Sequence, residues 1–330
     1  MLSFPLDRPL DFVCIGRANI DLYAIERGAS LKDTTGFVKN VGGSPTNIAV
    51  AMSRLGLKVG LISAVSDDQL GHFVLDYLKN HQIDTQFISI DDTGNTRTSI
   101  AFAEVKPENC DVLFYRKNAS DLNISPADIN EEYIQSAKAI VISGTALSAN
   151  PSREAMFIAM SYARENDTII FLDLDYRATA WQDDSAGETY ARAVELADVI
   201  IGNREEFEII AFPKGIKKET DMANHLFGFR AKIIIVKYGV RGSQAYYADG
   251  KIVDTKIFPV EVLKPYGAGD AFAGALGFAL LKNQGLEESL QMASAAGAIV
   301  VARESCTEAM PTLAEIQAFR SNYQKINEKN

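Results

Sequence analysis

Short, nearly continuous runs of β-branched and other apolar residues recur through this sequence and constrain its fold more than any other feature. They lie at residues 12–15, 59–64, 139–143, 168–172, 198–201 and 232–237. A strand with one solvated face alternates apolar and polar residues, so continuous runs predict strands that are covered on both faces. Helical patterns at residues 68–80, 151–166 and 188–197 fall between these runs. The alternation predicts βαβ units, and therefore an α/β fold with a mostly parallel central sheet.

Two stretches, residues 17–41 and 96–115, depart from this alternation. Both contain strand-like segments whose residues alternate in character, and no helical pattern separates those segments. We expect the two stretches to form a small sheet that stands apart from the main one. No repeat, low-complexity tract or linker-like segment divides the sequence, which therefore predicts a single domain over residues 1–330.

Charge and cysteine content argue against several classes of protein. The formal net charge of −10 leaves no surplus of Lys and Arg to neutralise a nucleic-acid backbone. Cys14, Cys110 and Cys306 are odd in number and widely spaced, so they predict neither a disulfide framework nor a zinc site. Residues 1–12 do not read as a signal peptide, and the longest nearly apolar stretch, 271–281, is too short to span a bilayer. We expect a cytoplasmic protein with no nucleic-acid or membrane partner.

The run Gly267-Ala268-Gly269-Asp270 is a glycine-rich turn between an apolar, strand-like run at 257–262 and a helical pattern. Free N–H groups at a helix start form an anion site, and a negative charge such as that of Asp270 is favoured there. Taken alone, the turn is equally consistent with an inert helix start. The sequence contains no P-loop, and its glycine spacing departs from the dinucleotide fingerprint, which disfavours an oxidoreductase.

A second glycine turn, Gly42-Gly43, precedes Ser44 and Pro45. Ser44 suits the N-cap of a helix and Pro45 its first position. A well-made helix start is one interpretation of this segment. The two glycines are not needed for that role, however, and they favour the close approach of a ligand.

Polar residues that follow predicted strands supply the remaining candidates. Asn19 and Asp21 come after the first strand and would point the same way in an extended chain, where they could bind hydroxyl groups. Asn203 and Glu206 could form a capping box or lie near Mg²⁺ through water. The segment from Lys237 through Gly239 to Gly242 could contact phosphates or form the turn of a hairpin.

In this order, Gly42-Gly43-x-x-x-Asn47, Asn203-x-x-Glu206 and Gly267-Ala268-Gly269-Asp270 resemble the ribokinase-like (PfkB) carbohydrate kinases, over residues 11–311. The resemblance implies an αβα sandwich whose small β-sheet lid comes from 17–41 and 96–115. It implies that ATP and Mg²⁺ are used and that Asp270 takes the proton of the acceptor hydroxyl. The N–H groups of Gly267, Ala268, Gly269 and Asp270 would form an anion hole. Because the helix start and this hole favour the ionised carboxylate, we expect a lowered pKa for Asp270.

The same resemblance implies binding roles for other residues. ATP would contact Asn203, Lys237, Gly239, Gly242, Gly267 and Gly269, and Mg²⁺ would lie near Glu206 and Asn203 through water. The acceptor would contact Arg17, Asn19, Asp21, Gly42, Gly43, Asn47, Arg116 and Arg177. Lids in this family often pair between subunits, so a homodimer through the lid is expected.

Arginine-containing runs narrow the expected acceptor. Phe114-Tyr115-Arg116 and the run ending at Arg177 resemble the branch that acts on keto-deoxy sugar acids, since an arginine fork can bind a carboxylate. Residues 15–23, 41–45 and 143–147 resemble kinases of 5-dehydro-2-deoxy-D-gluconate, which form its 6-phosphate in myo-inositol catabolism. Alternatively, Arg116 or Arg177 simply pairs with a nearby Asp. Kinases of 2-keto-3-deoxygluconate, fructose or a nucleoside, and a sensor without turnover, remain alternatives.

One position departs from the family pattern. Many relatives have Asp-Thr before the glycine turn and use that Asp in a monovalent-cation site, whereas this sequence has Lys264 and Pro265. A lysine ammonium has only donors and cannot ligate K⁺. We expect Lys264 to occupy or repel that site, so that K⁺ is not required.

Overall fold

The computed structural model describes residues 2–181, 184–211 and 214–327. Its strands are β1 (Leu10–Ile15), β2 (Asn19–Ala24), β3 (Phe37–Gly42), β4 (Val59–Ser66), β5 (Ile88–Asp91), β6 (Ile100–Ala103), β7 (Val112–Tyr115), β8 (Ala137–Ser143), β9 (Ile169–Asp173), β10 (Val199–Asn203), β11 (Ile233–Lys237), β12 (Ser243–Tyr247) and β13 (Ile252–Thr255). Its α-helices are α1 (Ser44–Arg54), α2 (Gln69–Asn80), α3 (Glu131–Gln135), α4 (Ser152–Glu165), α5 (Ala186–Leu196), α6 (Arg204–Ala211), α7 (Glu219–Phe227), α8 (Ala268–Leu281), α9 (Leu286–Val301) and α10 (Leu313–Asn327).

The main sheet has the strand order β13-β12-β11-β10-β9-β8-β1-β4-β5. Neighbours from β11 to β5 are parallel, and β12 and β13 add an antiparallel edge. Consecutive residues of β1 enter different apolar cores, Phe12 and Cys14 on one face and Val13 and Ile15 on the other. Burial on both faces explains the continuous apolar runs, and the predicted α/β fold with a mostly parallel sheet is confirmed.

A second, four-stranded sheet has the order β3-β2-β6-β7, and we call it the lid. Its strands come from the two stretches in which a side sheet was predicted, with β3 ending one residue later, at Gly42. On each strand, one set of alternate residues faces the main body, and the other set faces away from it. Asp21, Ala101 and Phe114 belong to the first set, while Leu22, Phe102 and Leu113 are paired across the second.

Helix α8 packs closely against α1 because two of its residues are glycines. A Cβ at Gly274 would lie 2.6 Å from the Cβ of Ala51, and one at Gly277 would lie 2.5 Å from Cε of Met52. The packing of the two helices therefore requires Gly274, because the Cβ of Ala51 cannot move away, whereas the end of the Met52 side chain can. This contact also brings the first turns of α1 and α8 together.

One predicted strand is wrong. Residues 257–262 have no strand structure, although the run is apolar. The ring of Phe258 instead packs edge-on against Phe319 and Tyr323 of α10, which accounts for the apolar character without sheet pairing. Among the described residues, no helix combines the length and apolarity needed to cross a membrane.

Candidate active site

A cavity of about 630 Å³ lies between the lid and the carboxyl ends of the main-sheet strands. Three adjacent strands each contribute their last residue to its wall, Asp173 of β9, Asn203 of β10 and Lys237 of β11. The start of α8 lines the same cavity. Ligands of open parallel sheets bind at this edge, so the strand order itself positions the site.

The cavity collects most of the residues that the sequence singled out. Those that line it are Arg17, Asp21, Gly43, Asn47, Arg177, Asn203, Glu206, Lys237, Gly239, Gly267, Ala268, Gly269 and Asp270. Four candidates, Asn19, Gly42, Arg116 and Gly242, are not among the lining residues. Each of these four has a structural role beside the cavity.

The carboxylate of Asp270 is held by two side chains of α1. Ser44 Oγ donates to Oδ1 over 2.7 Å, and Asn47 Nδ2 donates to Oδ2 over 2.7 Å. Burial, reinforced by the negative charge of Asp175, raises the pKa of Asp270 to about 6. The expected lowering of this pKa is therefore wrong, because loss of hydration outweighs the two hydrogen bonds.

Ser44 also departs from its predicted role. The N-cap of α1 is Gly43, with φ 102°, and Ser44 makes no cap hydrogen bond because its hydroxyl points to Asp270. Sequence reasoning missed Ser44 as a site residue. Its place directly after two glycines, beside Asn47 one turn on, was the available signal.

The glycine turn before α8 gives the site its anion-binding geometry. Gly267 is the N-cap in the left-handed region, at φ 78°, and a Cβ there would lie 2.8 Å from Sγ of Cys306. The first-turn N–H groups that follow have no partner within the helix. A Cβ at Gly269 would approach Nζ of Lys237 to 3.3 Å, so a lysine ammonium lies beside these N–H groups.

Two acidic residues, Asp173 and Glu206, form an acidic group that faces this turn from the strand ends. Asp173 is buried, its Oδ1 lies 3.5 Å from Nζ of Lys237, and that oxygen has no hydrogen-bond partner. Burial raises the pKa of Asp173 to about 7 and also raises the pKa of Glu206. Asp173 was not a predicted site residue, although it follows a buried strand and begins the run ending at Arg177 that resembles kinases of keto-deoxy sugar acids.

Asn203 and Glu206 form the capping box that the sequence allowed. The Asn203 N–H donates to Oε2 of Glu206 over 2.7 Å, and the Glu206 N–H donates to Oδ1 of Asn203 over 2.8 Å. Both residues also line the cavity, so the structural and functional interpretations are compatible.

The segment from Lys237 to Gly242 forms the turn of a hairpin, as one of its two interpretations predicted. Strands β11 and β12 pair antiparallel across it. A Cβ at Gly242 would lie 1.9 Å from the carbonyl oxygen of Thr255, so this glycine serves chain packing rather than the cavity. Lys237 and Gly239 remain on the cavity wall.

Asn19 and Asp21 point the same way on β2, as predicted. Asn19 is fully buried and donates from Nδ2 to Oδ1 of Asp21 over 2.6 Å, while the Tyr23 hydroxyl donates to Oδ2 over 3.1 Å. Asn19 thus positions Asp21 from behind the cavity wall.

The close approach that Gly42 and Gly43 were expected to offer a ligand is made by protein atoms. A Cβ at Gly42 would lie 2.2 Å from the carboxylate of Asp21, and one at Gly43 would lie 2.3 Å from the carbonyl oxygen of Arg17. Both glycines are therefore required by the packing of the chain around β2.

The three candidate arginines differ in their partners. Arg116 donates from Nε and Nη2 to Oδ2 of Asp121, over 2.8 and 2.5 Å, and from Nη1 to the carbonyl of Thr145. Arg177 forms an ion pair of 2.9 Å with Asp175. Arg17 lies with its guanidinium carbon 5.1 Å from the ring centre of Phe114. The alternative in which Arg116 and Arg177 pair with aspartates is confirmed.

Lys264 is fully buried behind the glycine turn. Its Nζ donates to the carbonyl oxygen of Tyr266 over 2.9 Å and to that of Val300 over 3.4 Å, and Sγ of Cys306 lies 3.9 Å away. Burial lowers the pKa of Lys264. Two backbone carbonyls thus accept hydrogen bonds from a lysine next to the anion-binding turn.

Residues 10–313 match the pfkB family carbohydrate kinases, and the chain belongs to that family. It is a phosphotransferase that acts on a sugar hydroxyl. The family and the enzyme class that the motifs predicted are confirmed.

The particular relatives are sugar kinases. The chain is 44% identical over 329 residues to a Bacillus thuringiensis (strain Al Hakam) protein named 5-dehydro-2-deoxygluconokinase, covering 98% of this chain and 99% of the relative. It is 28% identical to an uncharacterized sugar kinase from Pyrococcus horikoshii in complex with ATP, with TM-score 0.80 over 92% of this chain and 96% of the other. An Escherichia coli chain named as a ribokinase II, in complex with ATP and Mg²⁺, gives 25% identity and TM-score 0.86 over 95% and 99%. The ribokinase-like fold is confirmed, and bound ATP and Mg²⁺ in such neighbours fit a kinase.

Proposed function

We propose that this chain transfers the γ-phosphoryl group of ATP to the terminal hydroxyl of 5-dehydro-2-deoxy-D-gluconate, giving the 6-phosphate in myo-inositol catabolism. The observation that carries the proposal is the Asp270 carboxylate, held by Ser44 and Asn47 at a glycine-rich helix start that lines the cavity. The name of the 44%-identical relative supports this acceptor.

Asp270 has the properties of a general base for this reaction. A base works best when its pKa is near the working pH, and a pKa of about 6 leaves Asp270 ionised yet able to accept a proton. Each carboxylate oxygen accepts one hydrogen bond from α1 and keeps a further lone pair for the acceptor hydroxyl. Ser44 and Asn47 fix the direction of that lone pair.

The nucleotide would lie between the glycine turn and the strand ends. The first-turn N–H groups of Gly267, Ala268, Gly269 and Asp270 suit the negative charge of the transferring phosphoryl group. Although burial opposes it, the charge of Asp173 raises the pKa of Lys237, which therefore stays cationic and suits a phosphate. Asn203 and Gly239 would complete the ATP contacts, with Gly242 shaping the hairpin that carries them.

The acidic group fits Mg²⁺, which prefers oxygen ligands and keeps several waters. Asp173 Oδ1 is buried without a hydrogen-bond partner, and Glu206 shares the same wall. We propose that Glu206, Asn203 and Asp173 hold the ion through water. Among the described residues, no group of three or more His, Cys, Asp or Glu is arranged for direct metal binding. When bound, the ion neutralises phosphate charge.

Two further proposals concern Lys264 and the lid. The hydrogen bonds from Lys264 to the carbonyl oxygens of Tyr266 and Val300 support activity without K⁺, because they place a protein cation beside the glycine turn. The outer face of the lid carries Leu113 and Tyr115, which are 50% and 62% exposed beside Leu22 and Phe102. This apolar face supports a homodimer formed through the lid.

The direct test is a phosphoryl-transfer screen that detects ADP release, with ATP and Mg²⁺ present. The acceptors are 5-dehydro-2-deoxygluconate, 2-keto-3-deoxygluconate, fructose and a nucleoside. We expect the highest kcat/KM for the first. A higher value for another acceptor would replace the proposed substrate, and turnover of none of them would favour a sensor.

A further inference from the structure

Arg17 is a buried cation whose guanidinium has no ion-pair or hydrogen-bond partner among the described residues. Its side chain is 9% exposed, it lines the cavity, and its Nε has no hydrogen-bond partner. Within the described ranges, its guanidinium forms neither an ion pair nor a hydrogen bond. An unpaired charge in such a place is unfavourable for the free protein, so the group is expected to serve a ligand.

The neighbouring arginines are already neutralised. Arg116 is paired with the buried Asp121, and Arg177 with Asp175. Burial and the positive charge of Arg116 lower the pKa of Arg17, while Asp21, Asp121 and Asp175 act on it in the opposite sense without forming an ion pair. Of the three arginines, Arg17 alone has its full donor set free for an incoming anion.

The position of Arg17 is fixed on three sides. The hydroxyl of Thr46 donates to its carbonyl oxygen over 3.0 Å, and Gly43 packs closely against that same carbonyl. The ring of Phe114 lies against the guanidinium. A rigid, planar fork with free donors suits a carboxylate, which it can bind through two parallel hydrogen bonds.

We propose that Arg17 binds the carboxylate of the acceptor and so makes the enzyme select a sugar acid over a neutral sugar. This inference rests on the proposed function. Arg17, Asp175 and Asp270 all line the same cavity. The acid end of the acceptor would lie at Arg17, and its terminal hydroxyl at Asp270.

The test compares two acceptors, the keto-deoxy sugar acid and its carboxamide, which keeps the terminal hydroxyl but loses the charge. In Arg17→Met we expect kcat/KM for the acid to fall about 30- to 1,000-fold, mainly through KM. The value for the carboxamide should change less than about threefold, and KM for ATP should stay unchanged. The preference for acid over amide would then largely disappear, which a merely structural role would not produce.

Two comparison variants complete the design. Arg230, paired with Asp198 over 2.8 Å outside the cavity, gives the control Arg230→Met, which should keep the preference. Arg177→Met should keep most of it, because that arginine is paired in the free protein. If Arg17→Met does not fold, Arg17→Lys replaces it. In that variant kcat/KM should fall about tenfold for the acid and stay unchanged for the carboxamide.

The outcomes separate the two proposals. Wild-type enzyme that phosphorylates the acid, together with an unchanged preference in the folded Arg17 variant, would overturn the role of Arg17 and leave the proposed function standing. Loss of the preference in Arg177→Met alone would reassign the carboxylate site to that residue. Wild-type enzyme that phosphorylates no keto-deoxy sugar acid would refute the proposed function, and the inference with it.

Discussion

The side-chain amide of Asn47 donates a 2.7 Å hydrogen bond to Oδ2 of Asp270, a residue 223 positions further along the chain. Asn47 lies on the first helix and Asp270 on α8, so the bond joins two distant parts of the sequence at the candidate active site. The carboxylate can therefore be oriented only after both helices have packed.

Asp270→Asn should reduce kcat by about 10²- to 10⁴-fold, the usual effect of removing a general base. The amide has nearly the same shape and cannot accept the proton, so ATP and acceptor should still bind. Coupled ADP release measures the first effect and titration calorimetry the second. Turnover close to that of the wild type would show that another group takes the proton.

The pH dependence of kcat/KM for the acceptor should show an acidic limb near pH 6, because Asp270 must be ionised to act as a base. The hydrogen bond from Asn47 lowers the pKa of Asp270 by stabilising the charged form. Asn47→Ala should therefore move this limb to higher pH.

Ser53→Ala is the matched control for this shift. Ser53 lies on the same helix, and its hydroxyl donates to the carbonyl of His81 rather than to Asp270. Its profile should coincide with that of the wild type. A limb that stays in place in Asn47→Ala would assign the titration to another group.

Replacing K⁺ by Na⁺ or by choline at constant ionic strength should leave kcat and KM within about twofold, since the Lys264 ammonium already contacts the carbonyl oxygens of Tyr266 and Val300 beside the glycine turn. Initial rates in the three salts measure this directly. A strong requirement for K⁺ would mean that a cation binds elsewhere near the glycine turn.

Asp173→Asn should stabilise the ligand-free protein at pH 8, by about 1–3 kcal/mol. The folded-state pKa of Asp173, about 7, lies above its ordinary value, so the native state binds the extra proton more readily than the unfolded state. Wild-type stability is therefore lost as pH rises through about 7, and the asparagine avoids that loss. The stability gained by Asp173→Asn over the wild type should become smaller as the pH falls towards 5.

Thermal melting of both proteins across this pH range is the measurement, with Asp7→Asn at an exposed position as the control. A gain that does not depend on pH would contradict the titration of Asp173. Activity should fall in Asp173→Asn despite the added stability, since the proposed water-mediated Mg²⁺ site would lose a negative charge.

Leu113→Asp should convert the proposed homodimer to a monomer, because the charge would lie on the apolar outer face of the lid, on its edge strand β7. Sedimentation velocity measures the change in mass. Ile326→Asp, at an apolar residue that is 60% exposed on α10, should leave the association unchanged. A wild-type protein that sediments as a monomer would exclude the lid dimer.

Much of the fold could be predicted because local patterns reflect its layers. Phe12 and Val13 are both apolar since opposite faces of β1 are covered, and that requirement is visible in the sequence. The lid strands were recognisable because their residues alternate in character. In each of them, only one set of alternate residues faces the main body. The run at 257–262 was wrongly predicted to be a strand, because its Phe258 packs against a distant helix. An apolar residue in a sequence does not reveal which partner it contacts.

The site could be predicted less completely, since its properties arise from contacts between remote elements. The glycine turn and Asn47 were found from their motifs, whereas the raised pKa of Asp270 depends on burial that no local pattern records. The pairing of Arg116 with Asp121 likewise separates it from Arg17 only in three dimensions. Sequence reasoning named all three arginines and had no means of ranking them.

The missing side chain of Gly274 sets the spacing between α1 and α8, the two helices that carry Asn47 and Asp270. Gly274 follows Asp270 by one helical turn, just as Ala51 follows Asn47, so these two positions meet directly beneath the hydrogen bond. An added methyl group would lie 2.6 Å from the Cβ of Ala51 and force the helices apart. The orientation of Asp270, the proposed base, thus depends on Gly274. This residue lies one helical turn below the cavity, where no ligand would contact it.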